Sequence, residues 1–216
     1  MLKKKVRVFV DAGHGAPDNT GCFGQTTRWP SRSTWPSCCL PSGPSSLATA
    51  RAFRADVVVS LHRDARGEVR AWWPYHDERR CWWNPDVPGF AVLWNDEGSR
   101  ATVEGRARLG RAVGQRLRDA GFHAYEGTDC GGLYRQDEAE PSGWIDTRPM
   151  KKRVYFLRGS TIPTVIVETH HALDPEEVAR WAETKTVDAF ALAIAGAVLD
   201  FAAPQRAHSV TTAAEP

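Results

Sequence analysis

Long apolar runs, Cys-x-x-Cys pairs and an excess of charge of either sign are all missing from this sequence. No apolar stretch is long enough to cross a bilayer, so no membrane-spanning segment is expected. The five cysteines are odd in number and never show a Cys-x-x-Cys spacing, which argues against a disulfide framework and a zinc knuckle. Because 28 Lys and Arg nearly balance 26 Asp and Glu, charge gives no reason to expect a nucleic-acid partner.

The N-terminus also shows no secretory signal. Met1 is followed by Leu, three Lys and then a strand-like run, without the apolar segment that a signal peptide needs. The chain as written is therefore expected in the cytoplasm. Action in the periplasm or outside the cell would require another export route.

What is present indicates an α/β fold in a single domain. The 216 residues are 42% apolar, which suits one domain with a sizeable core. Three β-branched runs, at 6–11, 56–61 and 163–168, have the character of buried strands. They predict a central, mostly parallel sheet of about five to six strands, flanked by helices on both faces.

Helical patterns lie between and after these runs. Residues 100–120 carry an apolar stripe and are followed by Gly121, a stop signal. Asp174 and Pro175 form a capped helix start, and the pattern of 187–201 predicts a final amphipathic helix.

Three segments depart from this regular pattern. Residues 26–45 are rich in Pro, Ser and Trp and have no periodicity, which is unusual inside a compact domain. The segment 70–98 is interpreted as a Trp-rich insert, whose tryptophans are either core and rim packing or part of a substrate-side loop, a lid or a partner surface from Ala71 to Trp94. The domain is expected to span 1–203, with 204–216 as a disordered tail.

Side chains able to hold a metal follow the three predicted strands. His14 lies in Asp-Ala-Gly-His-Gly after the first, His62 ends the second, and Glu168 ends the third. Parallel strands deliver their carboxyl ends to one edge of a sheet, so these residues should meet. Neutral imidazoles are good zinc ligands, and a nearby Glu can take a proton from zinc-bound water.

The blocks VFVDAGHG, ADVVVSLHRDA and TVIVETHHALDPEEVARW resemble the signature blocks of zinc N-acetylmuramoyl-L-alanine amidases of the amidase-3 type, in the same order. The resemblance implies a six-stranded sheet between helices and bound Zn²⁺. It also implies hydrolysis of the amide between N-acetylmuramic acid and L-alanine in peptidoglycan or a muropeptide. By this resemblance His14 and His62 are metal ligands, and Glu168 is the catalytic base.

One expected ligand is missing, because no Glu occurs between His14 and His62. His170, two residues after Glu168, would face the same way on a continuing strand and is predicted as a substitute ligand. Arg63 is either a substrate-binding residue or a solvated surface residue. Asp11 is expected behind His14, as an acceptor that orients its ring.

A shifted reading frame is one hypothesis for 26–45, since another frame over 25–39 allows a helix that contains Glu. Loss of the ligand would impair activity. Two other readings stay open: a cytoplasmic zinc amidohydrolase similar to the N-formylglutamate amidohydrolases, and an inactive, wall-binding remnant.

Overall fold

The computed structural model describes residues 5–13, 44–64, 66, 71–75, 79–127 and 132–203. The predictions for residues 14–43 and 204–216, which include His14, most of the irregular stretch and the disordered tail, lie outside the described residues. The elements are β1 (Val8–Ala12), α1 (Pro44–Ala52), β2 (Val57–Asp64), β3 (Ala71–Tyr75), β4 (Arg79–Trp83), β5 (Ala91–Asn95), α2 (Arg100–Asp119), β6 (Tyr134–Asp137), β7 (Glu140–Asp146), a 3-10 turn (Met150–Lys152), α3 (Tyr155–Gly159), β8 (Thr164–His171), α4 (Pro175–Trp181) and α5 (Thr184–Ala202).

Six strands form the central sheet, in the order β1-β2-β8-β5-β7-β6. The pairs β1–β2, β2–β8 and β5–β7 are parallel, whereas β8–β5 and β7–β6 are antiparallel. The expected α/β fold with a mostly parallel six-stranded sheet is confirmed. Since β5 runs against β8, the beginning of β5 lies at the same edge as the end of β8.

Helices cover both faces of the sheet, as predicted. On one face α2 and α5 pack over a cluster that contains Val59, Trp94, Val165 and Val167. On the other face α1 and α3 pack over a cluster that contains Ile166. The alternation of β8 between the two clusters follows from the two-residue period of a strand.

The predicted helix signals are confirmed. Helix α2 ends before Gly121, whose φ of +82° is the left-handed conformation expected of a helix stop. The Asp174 side chain accepts hydrogen bonds from the backbone N–H of Glu176 and Glu177 and caps α4, with Pro175 in the first turn. Within the described residues, no helix is long and apolar enough to span a membrane.

The segment 70–98 is not one insert. Strands β3 and β4 form an antiparallel pair outside the main sheet, with Trp72 opposite Trp82 in the register. Strand β5, however, is a central strand of the main sheet, and Trp94 is 1% exposed in the core beneath α2. The interpretation of the whole stretch to Trp94 as a substrate-side loop was wrong, because its last third is an apolar run that the sheet buries.

Candidate active site

The carboxyl ends of β1, β2 and β8 meet at one edge of the sheet. In the parallel register of β2 and β8, His62 lies directly opposite Glu168. Opposite Glu168 on its other side is Ala91, at the beginning of β5. The sequence prediction that strand ends would bring His62 and Glu168 together therefore holds for the described residues.

Gly13 ties the end of β1 to His62. Its backbone N–H donates to the carbonyl oxygen of Leu61 over 2.8 Å, and its Cα lies so near the His62 imidazole that a Cβ there would overlap the ring. His14 itself lies outside the described residues, so its role as a ligand stays a prediction.

Glu168 is held in an environment that disfavours its charge. Its Oε2 is buried and has no hydrogen-bond partner among the described residues. Burial, followed by the nearby charge of Asp64, raises the pKa of Glu168 to about 8 against the opposing charge of Arg66. A carboxylate of this kind can accept a proton near neutral pH or pair with a cation.

His170 does not follow the alternation that the sequence suggested. Between the pairs His62–Glu168 and Asp64–His171, β2 advances two residues and β8 advances three, so β8 contains a bulge. His170 stacks on Trp181, at 4.9 Å between ring centroids, on the face covered by α4 and α5. The expectation that His170 faces the same way as Glu168 was wrong, because the bulge reverses the alternation.

The hydrogen bonds of His170 settle its tautomer. The Thr169 hydroxyl donates its single proton to the carbonyl oxygen of His62 at 2.9 Å, so Nδ1 of His170 must donate to the same hydroxyl oxygen at 2.8 Å. Nε2 of His170 then carries a bare lone pair, which is buried and meets no partner within the described ranges. Burial, followed by the charges of Arg63 and Arg66, lowers the pKa of His170 to about 3, so the ring is neutral. Its role as a substitute ligand stays a prediction.

Asp11 and Arg63 are both buried at this edge. Asp11 is fully buried and accepts a hydrogen bond from the Ser60 hydroxyl over 2.6 Å. Arg63 is 7% exposed, and burial lowers the pKa of its guanidinium. Arg63 is thus not a solvated surface residue. The proposed contacts of Asp11 with His14 and of Arg63 with substrate stay predictions.

Arg66 is a site residue that the sequence reasoning missed. Its Nε donates to Asp64 over 2.9 Å, its Nη1 donates to the carbonyl oxygen of Gly89 over 2.9 Å, and its backbone N–H donates to Nδ1 of His171 over 3.2 Å. The guanidinium carbon lies 4.1 Å from the centre of the Tyr125 ring. No sequence motif marks Arg66; only its nearness to the second His strand was available as a signal.

The carboxylate of Glu177 on α4 links the carboxyl end of β8 to the segment before β5 by hydrogen bonds. Its Oε2 accepts from the backbone N–H of His171 over 2.6 Å, and its Oε1 accepts from that of Gly89 over 3.0 Å. Burial raises the pKa of Glu177, although these two hydrogen bonds lower it in part. This acid is a clamp between two segments, and its carboxylate oxygens are already occupied.

A cleft of about 330 Å³ opens beside this clamp. Residues 85–88 line it together with His123, Tyr125 and Glu126. The Tyr125 ring that borders the cleft also covers the guanidinium of Arg66.

Among the described residues, no group of three or more His, Cys, Asp or Glu side chains forms a metal site. The pair formed by His62 and Glu168 has only two such side chains. A third side chain would have to come from His14, which is outside that part of the chain, or from a rearranged His170.

Comparison with known proteins gives a likeness of fold. No protein-family model matches the sequence, and no curated protein matches it. The N-acetylmuramyl-L-alanine amidase of Mycobacterium smegmatis superposes with a TM-score of 0.60 and 17% identity, over 93% of this chain and 98% of that one. The apo form of the amidase of Mycobacterium abscessus gives a TM-score of 0.60, 14% identity, and 91% and 99% coverage. An N-acetylmuramoyl-L-alanine amidase of Clostridium difficile 630 superposes with a TM-score of 0.52 and 13% identity, over 92% of this chain and 97% of that one. The chain therefore has the fold of the N-acetylmuramoyl-L-alanine amidases.

Proposed function

We propose that this chain is a zinc-dependent amidase that hydrolyses the amide between N-acetylmuramic acid and L-alanine in peptidoglycan. The observation that carries the proposal is the pairing of His62 with Glu168, whose buried Oε2 lacks a partner, at the carboxyl edge of a sheet with the amidase fold. Open α/β sheets place their sites at this edge.

The residues present fit a zinc ion. An imidazole and a carboxylate stand side by side in the register, and the carboxylate oxygen without a partner is a group that a cation would satisfy. His14 and His62 would hold the ion. When bound, zinc would supply a positive charge that polarises the scissile carbonyl and acidifies water.

Glu168 would act as the general base. A raised pKa makes it a stronger proton acceptor than an ordinary carboxylate, and a neighbouring cation would lower the pKa enough to keep it ionised at neutral pH. Glu168 would take the proton of the attacking water and then deliver it to the amine of L-alanine as the C–N bond breaks. Its half-buried position limits exchange of that proton with bulk water.

The absence of the ligand Glu determines the zinc affinity that we expect of this site. With no Glu between His14 and His62, the first and second ligands stand without the third that the resemblance implies. His170 keeps a bare Nε2, but on the other face of β8. We therefore expect weak zinc binding and impaired hydrolysis in this chain.

The test measures zinc per chain by elemental analysis, in the wild type, His62→Ala and His208→Ala. About one zinc, lost in His62→Ala and kept in His208→Ala, supports the proposal. Digestion of purified muropeptides is then followed by mass spectrometry for peptides with a newly freed N-terminal L-alanine. Glu168→Gln should remove that activity and Arg111→Gln should keep it.

Other outcomes overturn the proposal in different ways. A chain that binds insoluble peptidoglycan, holds no zinc and cleaves nothing is an inactive wall-binding remnant. A chain that holds zinc and cleaves N-formylglutamate, but no muropeptide, is a small-molecule amidohydrolase.

A further inference from the structure

We propose that Arg66 binds the acyl oxygen of the substrate's lactyl group and, after cleavage, the lactyl carboxylate. The inference rests on the proposed amidase function and names the residue that recognises the acyl side of the scissile bond. It assigns to Arg66 the role that sequence reasoning gave to Arg63.

The first observation is a buried cation with one donor left over. Arg66 is 6% exposed, and its Nε and Nη1 are satisfied by Asp64 and by the Gly89 carbonyl. Its Nη2 is buried and has no hydrogen-bond partner in the part of the chain that the structure describes. An unsatisfied N–H on a buried charged group is costly, so a ligand that accepts from it gains correspondingly.

The second observation is the location of this donor. Arg66 bonds through its Nε to Asp64, two residues beyond His62 on β2, and through its backbone N–H to His171, three residues beyond Glu168 on β8. Among the described residues, neither Arg66 Nη2 nor Glu168 Oε2 has a hydrogen-bond partner, so the two atoms do not bond to each other. A hydrated amide satisfies both groups, because its carbonyl oxygen accepts from Arg66 and the attacking water donates to Glu168.

The third observation is that Arg66 is rigid. The guanidinium is stacked at 4.1 Å on Tyr125 and anchored to Gly89, while the Arg66 backbone is bonded on both sides, to His171 and Asn84. A donor that is fixed in advance loses little entropy when it meets a carbonyl oxygen on which negative charge develops. Arg63, in contrast, directly follows His62 on β2, so its side chain lies on the opposite face of the sheet from that of His62.

The test uses binding without catalysis. N-acetylmuramic acid and N-acetylglucosamine differ by the lactyl group, and zinc-free full-length protein is titrated with each by calorimetry. We expect the wild type to prefer N-acetylmuramic acid by about tenfold or more, which is the range of a charge-assisted hydrogen bond. Arg66→Gln should abolish the preference, whereas Arg111→Gln, a matched change at an arginine paired with Asp137, should keep it.

Equal binding of the two sugars by the wild type would overturn the inference, as would a preference that survives in Arg66→Gln. If Arg66→Gln does not fold, arginine-labelled wild type is titrated by NMR, with Arg66→Lys used for assignment. The Arg66 side-chain signals should then shift when N-acetylmuramic acid is added but not when N-acetylglucosamine is added. If neither sugar shifts these signals, the inference is overturned.

The failures of the two proposals are distinguishable. If the chain hydrolyses muropeptides and Arg66→Gln keeps the sugar preference, the role of Arg66 is refuted and the amidase function stands. A clear sugar preference that depends on Arg66, without zinc or hydrolysis, removes the amidase activity and leaves a lactyl-binding site. If the chain is active, Arg66→Gln should lower kcat/KM but leave the zinc content per chain nearly unchanged.

Discussion

The hydroxyl of Thr169 bonds to the carbonyl oxygen of His62 across the bulge that interrupts β8. The same hydroxyl accepts from His170, whose ring is stacked on Trp181. A series of contacts thus runs from α4 to the backbone of the expected metal ligand, at a point where the regular strand pairing is broken.

Thr169→Val should destabilise the protein by about 1–3 kcal/mol, because the isosteric change removes the hydrogen bond to the carbonyl oxygen of His62 and leaves the buried His170 Nδ1–H without its acceptor. It should also weaken zinc binding, since His62 loses a constraint on its backbone. Urea unfolding and zinc titration measure the two effects. Thr169→Ser keeps the hydroxyl and should restore both; wild-type zinc affinity in Thr169→Val would contradict this role.

Glu168 should make the zinc-free protein less stable as pH rises. Its folded pKa, about 8, lies above the ordinary value of 4.5, so the protonated form is favoured by folding. Its contribution to the free energy of unfolding is full below pH 4.5 and is lost as pH rises towards 8. Wild type and Glu168→Gln are compared by urea unfolding between pH 4 and 9 in chelator. A difference between them that does not change with pH would contradict the raised pKa.

Gly13→Ala should disable the site while the rest of the domain stays folded. A Cβ at this position overlaps the His62 ring, which must then move. Zinc affinity and muropeptide cleavage should fall about tenfold or more, which corresponds to about 1.4 kcal/mol or more. A double-mutant cycle with His62→Ala checks the cause, because the destabilisation by Gly13→Ala should shrink once the ring is absent. Additive effects would place the strain elsewhere.

Two helical glycines should respond to alanine in opposite directions. At Gly110 of α2 a Cβ overlaps the Trp94 ring, so Gly110→Ala should cost about 1–3 kcal/mol of stability. At Gly196 of α5 the nearest atom is 3.5 Å away, in Arg116, so Gly196→Ala should stabilise by up to about 1 kcal/mol. Thermal unfolding of both variants tests whether Trp94 is packed in the core.

Much of the fold was predictable because buried strands and helix caps have recognisable local sequence patterns. The β-branched runs that became β1, β2 and β8 each end in the residues that the site uses, and Asp174 with Pro175 marks the beginning of α4. Strand β5 was missed, although Ala91–Asn95 is an apolar run, because the surrounding tryptophans suggested an insert.

The site was predicted less completely, for reasons of geometry. The face of His170 depends on one extra residue in β8, and a bulge leaves no clear mark in a sequence. Arg66 acquires its position from Gly89 and Tyr125, which are far away in the chain. Local patterns carry no information about such long-range partners.

Because β5 runs antiparallel to β8, this edge of the sheet is built both from the carboxyl ends of strands and from the segment that precedes β5. His62 and Glu168 end strands that run towards this edge, whereas residues 84–89 precede a strand that runs away from it. Changes of length or composition in 84–89 can therefore reshape the cleft without shifting the register of the strands that carry His62 and Glu168. In the proposed amidase, substrate range can then vary separately from the residues proposed for the reaction.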